Sequence, residues 1–170
     1  MVSNFYPWMK SDERAQFIAR ETTKHKLVPS AGAWAWSTSG HATHNGVSFN
    51  EDTINKPDIQ SRMRLGVTSG FHPPGCDTFK SIADHVYGHQ LDNLVGARHN
   101  PEIKLMFART GGADVSRYAK ENIDEFIAEA WAESLNNPNP RPTAKRVAEI
   151  IRSKYDVLFS SRPATRRRAA

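Results

Sequence analysis

Two histidines four residues apart, His85 and His89, sit in the run Asp-His-Val-Tyr-Gly-His-Gln-Leu-Asp at residues 84–92. On a helix both imidazoles project from one face, one turn apart, and can grip a single metal ion. With Glu at position 86 the run would read H-E-x-x-H, the pattern in which that Glu acts as general base on a zinc-bound water. Position 86 is Val, which can neither accept nor donate a proton. The residues specify a metal grip without the customary proton acceptor.

Two imidazoles fill half of a tetrahedral zinc shell; a catalytic shell takes a third protein ligand and leaves one position open. Glu125 and Glu129, four apart and flanked by apolar residues, are the candidates. A carboxylate beside an apolar stripe needs a partner, because an unpaired buried charge is costly. Zinc would partner Glu125, and the second ring N–H of a ligand histidine would partner Glu129. Tyr118, just ahead of these glutamates, is placed to reach an oxyanion formed at the metal. The simpler alternative is that His85 and His89 only pack and hydrogen-bond. Asp84 and Tyr87 adjoin the motif, but successive helical residues are rotated by about 100°, so Asp84 points away from the position that Val86 holds.

Other chemistry-bearing residues carry less. His41 and His44 lie in a Gly/Ser/Thr-rich stretch that reads as a polar loop. His72, before Pro73-Pro74, and Trp34 and Trp36 are candidates to line a cleft, although core anchoring is the commoner use of tryptophan. The lone Cys76 excludes an internal disulfide, reads as a buried thiol and suits a reducing compartment. There is no phosphate loop, no dinucleotide fingerprint and no nucleophilic Ser or Cys context.

The elements that must position these groups can be placed coarsely. A helix is expected from Ser11, its cap, to about Lys26. Residues 30–46 read as loop or short extended segment, and Gly46-Val47-Ser48-Phe49-Asn50 alternates as a short strand. Residues 55–80 read as irregular, punctuated by Pro57, Gly66, Gly70, Pro73, Pro74 and Gly75. A helix starting near Asp77 or Thr78 carries both histidines to about Val95, with Phe79, Ile82, Val86 and Leu91 as its packed stripe. Another covers 101–109 and ends at Gly111-Gly112. Helical spacing is clearest from Asn122 to Leu135, stopped by Asn136-Asn137-Pro138-Asn139-Pro140. A last helix runs from Thr143, a candidate cap, to about Tyr155.

The pairing of H-x-x-G-H with a downstream S-x-Y-A…N-x-x-E-F-x-A-E resembles the zincin-like domain related to the catalytic domain of anthrax lethal factor. Similar domains occur in bacteriophage minor head proteins, after segments like Gly46–Asn50 and Phe71-His72-Pro73-Pro74-Gly75. The resemblance covers roughly residues 45–135. It implies an α+β fold, helix-rich with a small sheet. It also implies zinc held by His85, His89 and Glu125, with Tyr118 as transition-state tyrosine and Glu129 as the carboxylate behind a ligand. The family's catalytic Glu falls on Val86, so proteolytic inactivity is the expectation, either in a naturally silent relative or in a form inactivated at that position. Partners would be other virion or capsid proteins, or a peptide substrate in an active zinc metallopeptidase. The location would be the virion or host cytoplasm.

The chain's bulk properties fit one soluble domain over residues 1–160. Its 170 residues suffice for a core, and 38% hydrophobic with 24% charged residues describes a globular chain. No apolar run approaches the roughly 20 residues of a membrane span, and no secretory signal is recognisable at the N-terminus. The formal charge of +5 is concentrated at the end, where Arg162, Arg166, Arg167 and Arg168 form a basic tail over 161–170. Such a tail reads first as a solvated terminus, and second as a weak, sequence-independent phosphate contact through Arg166, Arg167 and Arg168.

Overall fold

A computed structural model describes residues 33–37, 45–49 and 56–160. The expected helix at 11–26, the histidines 41 and 44 and the basic tail lie outside the described residues. So do the side chains of Trp34 and Trp36, whose backbone belongs to a strand.

Ala33–Ser37 (β1) and Asn45–Phe49 (β2) pair antiparallel, with Ala35 opposite Val47. The strand is found where the alternation at 46–50 placed one. The wider expectation of an α+β fold with a small sheet is nevertheless corrected. Among the described residues from 56 to 160 the chain is helical, with no strand and no sheet, and the described core is helix against helix. A local alternation encodes one ribbon; a sheet layer needs further strands to share an apolar face.

Among the described residues, five α-helices make up the body: α1 (Ile59–Thr68), α2 (Phe79–Val95), α3 (Pro101–Thr110), α4 (Ile123–Asn136) and α5 (Pro142–Ser160). Helix α1 falls inside the stretch expected to be irregular, which is a second correction. It buries no residue, so no apolar stripe announced it. At Gly66 the constraint is a neighbour rather than a turn: a Cβ there would lie 3.0 Å from His72 Cδ2 and would have to displace that ring slightly.

Helix α2 starts as expected. Thr78 accepts from the Ser81 backbone N–H while the Ser81 hydroxyl accepts from Thr78 N, and left-handed Gly96 closes the other end at φ 63°. Its packed stripe differs from the expectation. Val86 and Leu91 are buried, whereas Phe79 is 45% exposed and Ile82 is half-buried. Asn100 caps α3, with Pro101 in the first turn, and Gly111 ends it. Asn122 caps α4 by accepting from Asp124 N and Glu125 N. Helix α5 begins at Pro142, and Thr143 does not act as its cap; the Thr143 hydroxyl donates to Asp114 instead. It runs on past Tyr155 to Ser160, since no Gly or Pro interrupts residues 156–160.

The core joins Leu91 and Val95 of α2 to Phe126, Ile127 and Ala130 of α4 and to Val147 and Ile151 of α5. Two clamps brace it. Arg141 grips the buried Glu133 through Nε at 2.9 Å and Nη2 at 2.6 Å. Arg98 pairs with the buried Asp92 at 2.5 Å and with Asp124 at 2.9 Å. Among the described residues no helix is long and apolar enough to cross a membrane.

Helices α2 and α4 are brought together at Gly88. A Cβ built there would lie 2.9 Å from Ala128 Cα and 3.3 Å from Trp131 Cβ. Gly88→Ala must therefore push the helices apart, with an expected loss of about 1–3 kcal/mol of stability, read from urea denaturation midpoints. An unchanged midpoint would mean that the two helices are not in close contact.

Candidate metal centre

The close approach at Gly88 sets the histidine face of α2 against the first two turns of α4. His85 and His89 stand one turn apart on α2, their rings edge to face with centroids 4.8 Å apart. Across from them, the Asn122 cap fixes the first turn of α4 and with it Glu125; Glu129 follows one turn later.

The result is a triangle of donor atoms. His85 Nε2 lies 3.2 Å from His89 Nε2 and 3.2 Å from Glu125 Oε2, and His89 Nε2 lies 3.4 Å from the same oxygen. These three residues form a cluster able to hold a metal ion. The edge between the two imidazole nitrogens is also a hydrogen bond, so the spacing suits a metal shell and a hydrogen-bonded cluster alike. A tetrahedral shell with bonds of about 2.0–2.2 Å sets its ligand atoms about 3.3–3.6 Å apart, close to the edges observed. Glu125 Oε2 is buried and makes no aligned hydrogen bond, so it faces two imidazole nitrogens across a gap that suits a cation.

Behind this triangle lies Glu129, only 1% exposed. Its Oε1 is 2.8 Å from His85 Nδ1, an ion-pair contact without the alignment of a finished hydrogen bond. Its carboxylate also accepts from the Ser116 hydroxyl at 2.9 Å and meets His72 Nδ1 at 3.2 Å through both oxygens. Ser116 Oγ in turn accepts from Ala119 N at 2.9 Å, which shapes the loop carrying Tyr118. That loop requires Gly112, at φ 80°, because a Cβ there would collide with the Ala119 carbonyl. The Tyr118 ring stacks over His85 with centroids 5.8 Å apart.

The electrostatics follow from this packing. Burial opposes charge on His85, yet the close carboxylates of Glu125 and then Glu129 outweigh it and raise its pKa to about 9. Burial likewise works against Glu125 and Glu129 as anions. The histidines beside them prevail, holding Glu125 well below the usual carboxylate range and Glu129 at about 2. Burial first, and then the Glu125 carboxylate beside it, push the Tyr118 hydroxyl up, so it is a proton donor throughout the neutral range. A metal at the triangle would compete with the proton that the two carboxylates favour on His85, so its affinity would weaken as pH falls.

The expected site residues are thus brought together: His85, His89, Glu125, Glu129 and Tyr118. Val86 is 3% exposed and contributes no polar atom. Asp84 is taken up by Lys80 at 2.5 Å and by Asn136 at 2.7 Å, and Tyr87 is exposed, so neither adjoins the donor triangle. Cys76 is buried, and burial, then Glu129 and Glu133, raise its thiol pKa. Two partners of Glu129 are the residues that sequence reasoning underused. His72 is 57 positions from it and Ser116 is 13, and neither spacing carries a helical or strand period.

No protein-family model, curated protein or solved structure matches this chain. The site rests on its own geometry. Glu129→Gln keeps the shape but weakens the anchor of His85, and is expected to lower metal affinity by about 10–100-fold. Competition with a zinc chelator measures this. Wild-type affinity in that variant would show that Glu129 does not orient the ligand.

Proposed function

We propose that this chain is a zincin-like zinc-binding domain of a virion-associated protein, of the phage minor head type, that does not hydrolyse peptides by the usual zincin route. The observation that carries the zinc reading is the triangle of two imidazole nitrogens and one carboxylate oxygen with edges of 3.2–3.4 Å. Two histidines and a carboxylate suit zinc and leave a fourth position for a light ligand. Zinc bound there would act as a Lewis acid toward an oxygen ligand. The virion assignment is supported by the resemblance at Gly46–Asn50, Phe71–Gly75 and the histidine helix. Other virion proteins are the partners this implies, in the particle or the host cytoplasm.

The inactive reading rests on Val86. General-base catalysis contributes about 10²–10⁴-fold, and a buried Val supplies none. A second reading, an active zinc metallopeptidase or an inactivated form of one, is favoured by a single observation. Tyr118 is kept as a proton donor beside His85 and Glu125, where a developing oxyanion would need a hydrogen bond.

Elemental analysis of the purified chain is expected to find about one zinc per molecule, lost in His85→Ala. No zinc in either protein would overturn the proposal. In the zinc-loaded protein, Val86→Glu is expected to raise peptide hydrolysis by about 10²–10⁴-fold, assayed on a mixed peptide library. Strong hydrolysis by the unaltered chain would favour the second reading instead.

A further inference from the structure

We infer that His72 is a positioning residue for the metal centre, acting through Glu129 on His85. The inference rests on the zinc reading above.

Glu129 is a single buried carboxylate shared by three side chains from three parts of the chain. His85 comes from α2, Ser116 from the loop before α4, and His72 from the strip that follows α1. His72 is no loose surface group, although its side chain is 35% exposed. The strip is tied to the Tyr118 loop by Arg117 N donating to Gly70 O at 2.9 Å and by Tyr118 N donating to Phe71 O at 3.1 Å. Phe71, before His72, stacks on Tyr118 with centroids 5.2 Å apart, and Pro73, after it, is buried. On the other side, Gly66 leaves the space that the His72 ring fills. The Tyr118 ring neighbours both histidines, 5.7 Å from His72 and 5.8 Å from His85.

Metal binding at His85 Nε2 requires the ring proton to sit on Nδ1, where Glu129 receives it. The direction in which Glu129 presents Oε1 is set by its other two partners. Without His72, the carboxylate loses a donor that spans both oxygens, and a buried anion short of partners turns toward whatever remains. His85 then loses part of its alignment. The coupling is reciprocal: zinc on His85 tightens Glu129 and so steadies the strip and the Tyr118 loop.

Two variants separate this role from simple packing. His72→Phe keeps a ring of similar size without a donor, and His72→Asn keeps a side-chain N–H. Zinc affinity is measured by chelator competition, and amide exchange at Arg117 and Tyr118 is followed with and without zinc. His72→Phe is expected to bind zinc about 10–100-fold more weakly and to lose the zinc-induced slowing at both amides. His72→Asn is expected to recover most of each effect. If His72→Phe fails to fold, His72→Ala carries the same expectation. A donor-free variant with wild-type affinity and wild-type slowing overturns the inference alone. Absence of zinc from the wild-type chain overturns the zinc reading and this inference together.

Discussion

Glu129 is 1% exposed; burial opposes its charge, yet His72 and His85 hold its carboxyl well below the usual carboxylate range, and burying an ion without partners costs several kcal/mol. That constraint organises the region. Each partner comes from a separate segment: His85 from α2, His72 from the strip after α1, and Ser116 from the loop before α4. A carboxylate so placed holds three segments in register and points one imidazole at the position where Glu125 and His89 converge. The His85, His89 and Glu125 donor triangle, able to hold a metal ion, is the outer face of this arrangement.

Such proximity is available only because α2 and α4 touch backbone to backbone at Gly88. The rest of the fold supports that contact. Asp92 and Glu133, both buried, are held by Arg98 and Arg141 at the far ends of the same two helices. Arg141 also donates to the Val115 carbonyl, one residue before Ser116. The clamp at the end of α4 therefore reaches back to the loop that supplies a donor to Glu129. Rigid elements with braced ends are what a metal site needs to keep its donors about 3.3 Å apart.

Much of this was legible where the signal is local. Thr78, Asn100 and Asn122 cap helices within three residues of the groups they satisfy, and Gly96 and Gly111 end them, so α2, α3 and α4 were readable to within a residue or two. His85, His89, Glu125 and Glu129 were readable because each pair shares a helical spacing. What was missed depends on contacts between distant segments. Gly66 looked like a helix breaker, but it makes room for a ring six residues further on. From the sequence His72 reads as a candidate to line a cleft, whereas its partner is Glu129 in α4. The α+β class came with the family resemblance rather than from the residues, and described residues 56–160 are helical; Thr143 turns to Asp114 rather than to its own helix.

Zinc X-ray absorption on the loaded protein tests the centre most directly, because it reads the donor set itself. Two imidazoles, one carboxylate oxygen and one further light atom at about 2.0–2.2 Å are expected. A sulfur at about 2.3 Å, which only Cys76 or a methionine of this chain could provide, or a shell of water oxygens alone, would contradict a centre built on His85, His89 and Glu125.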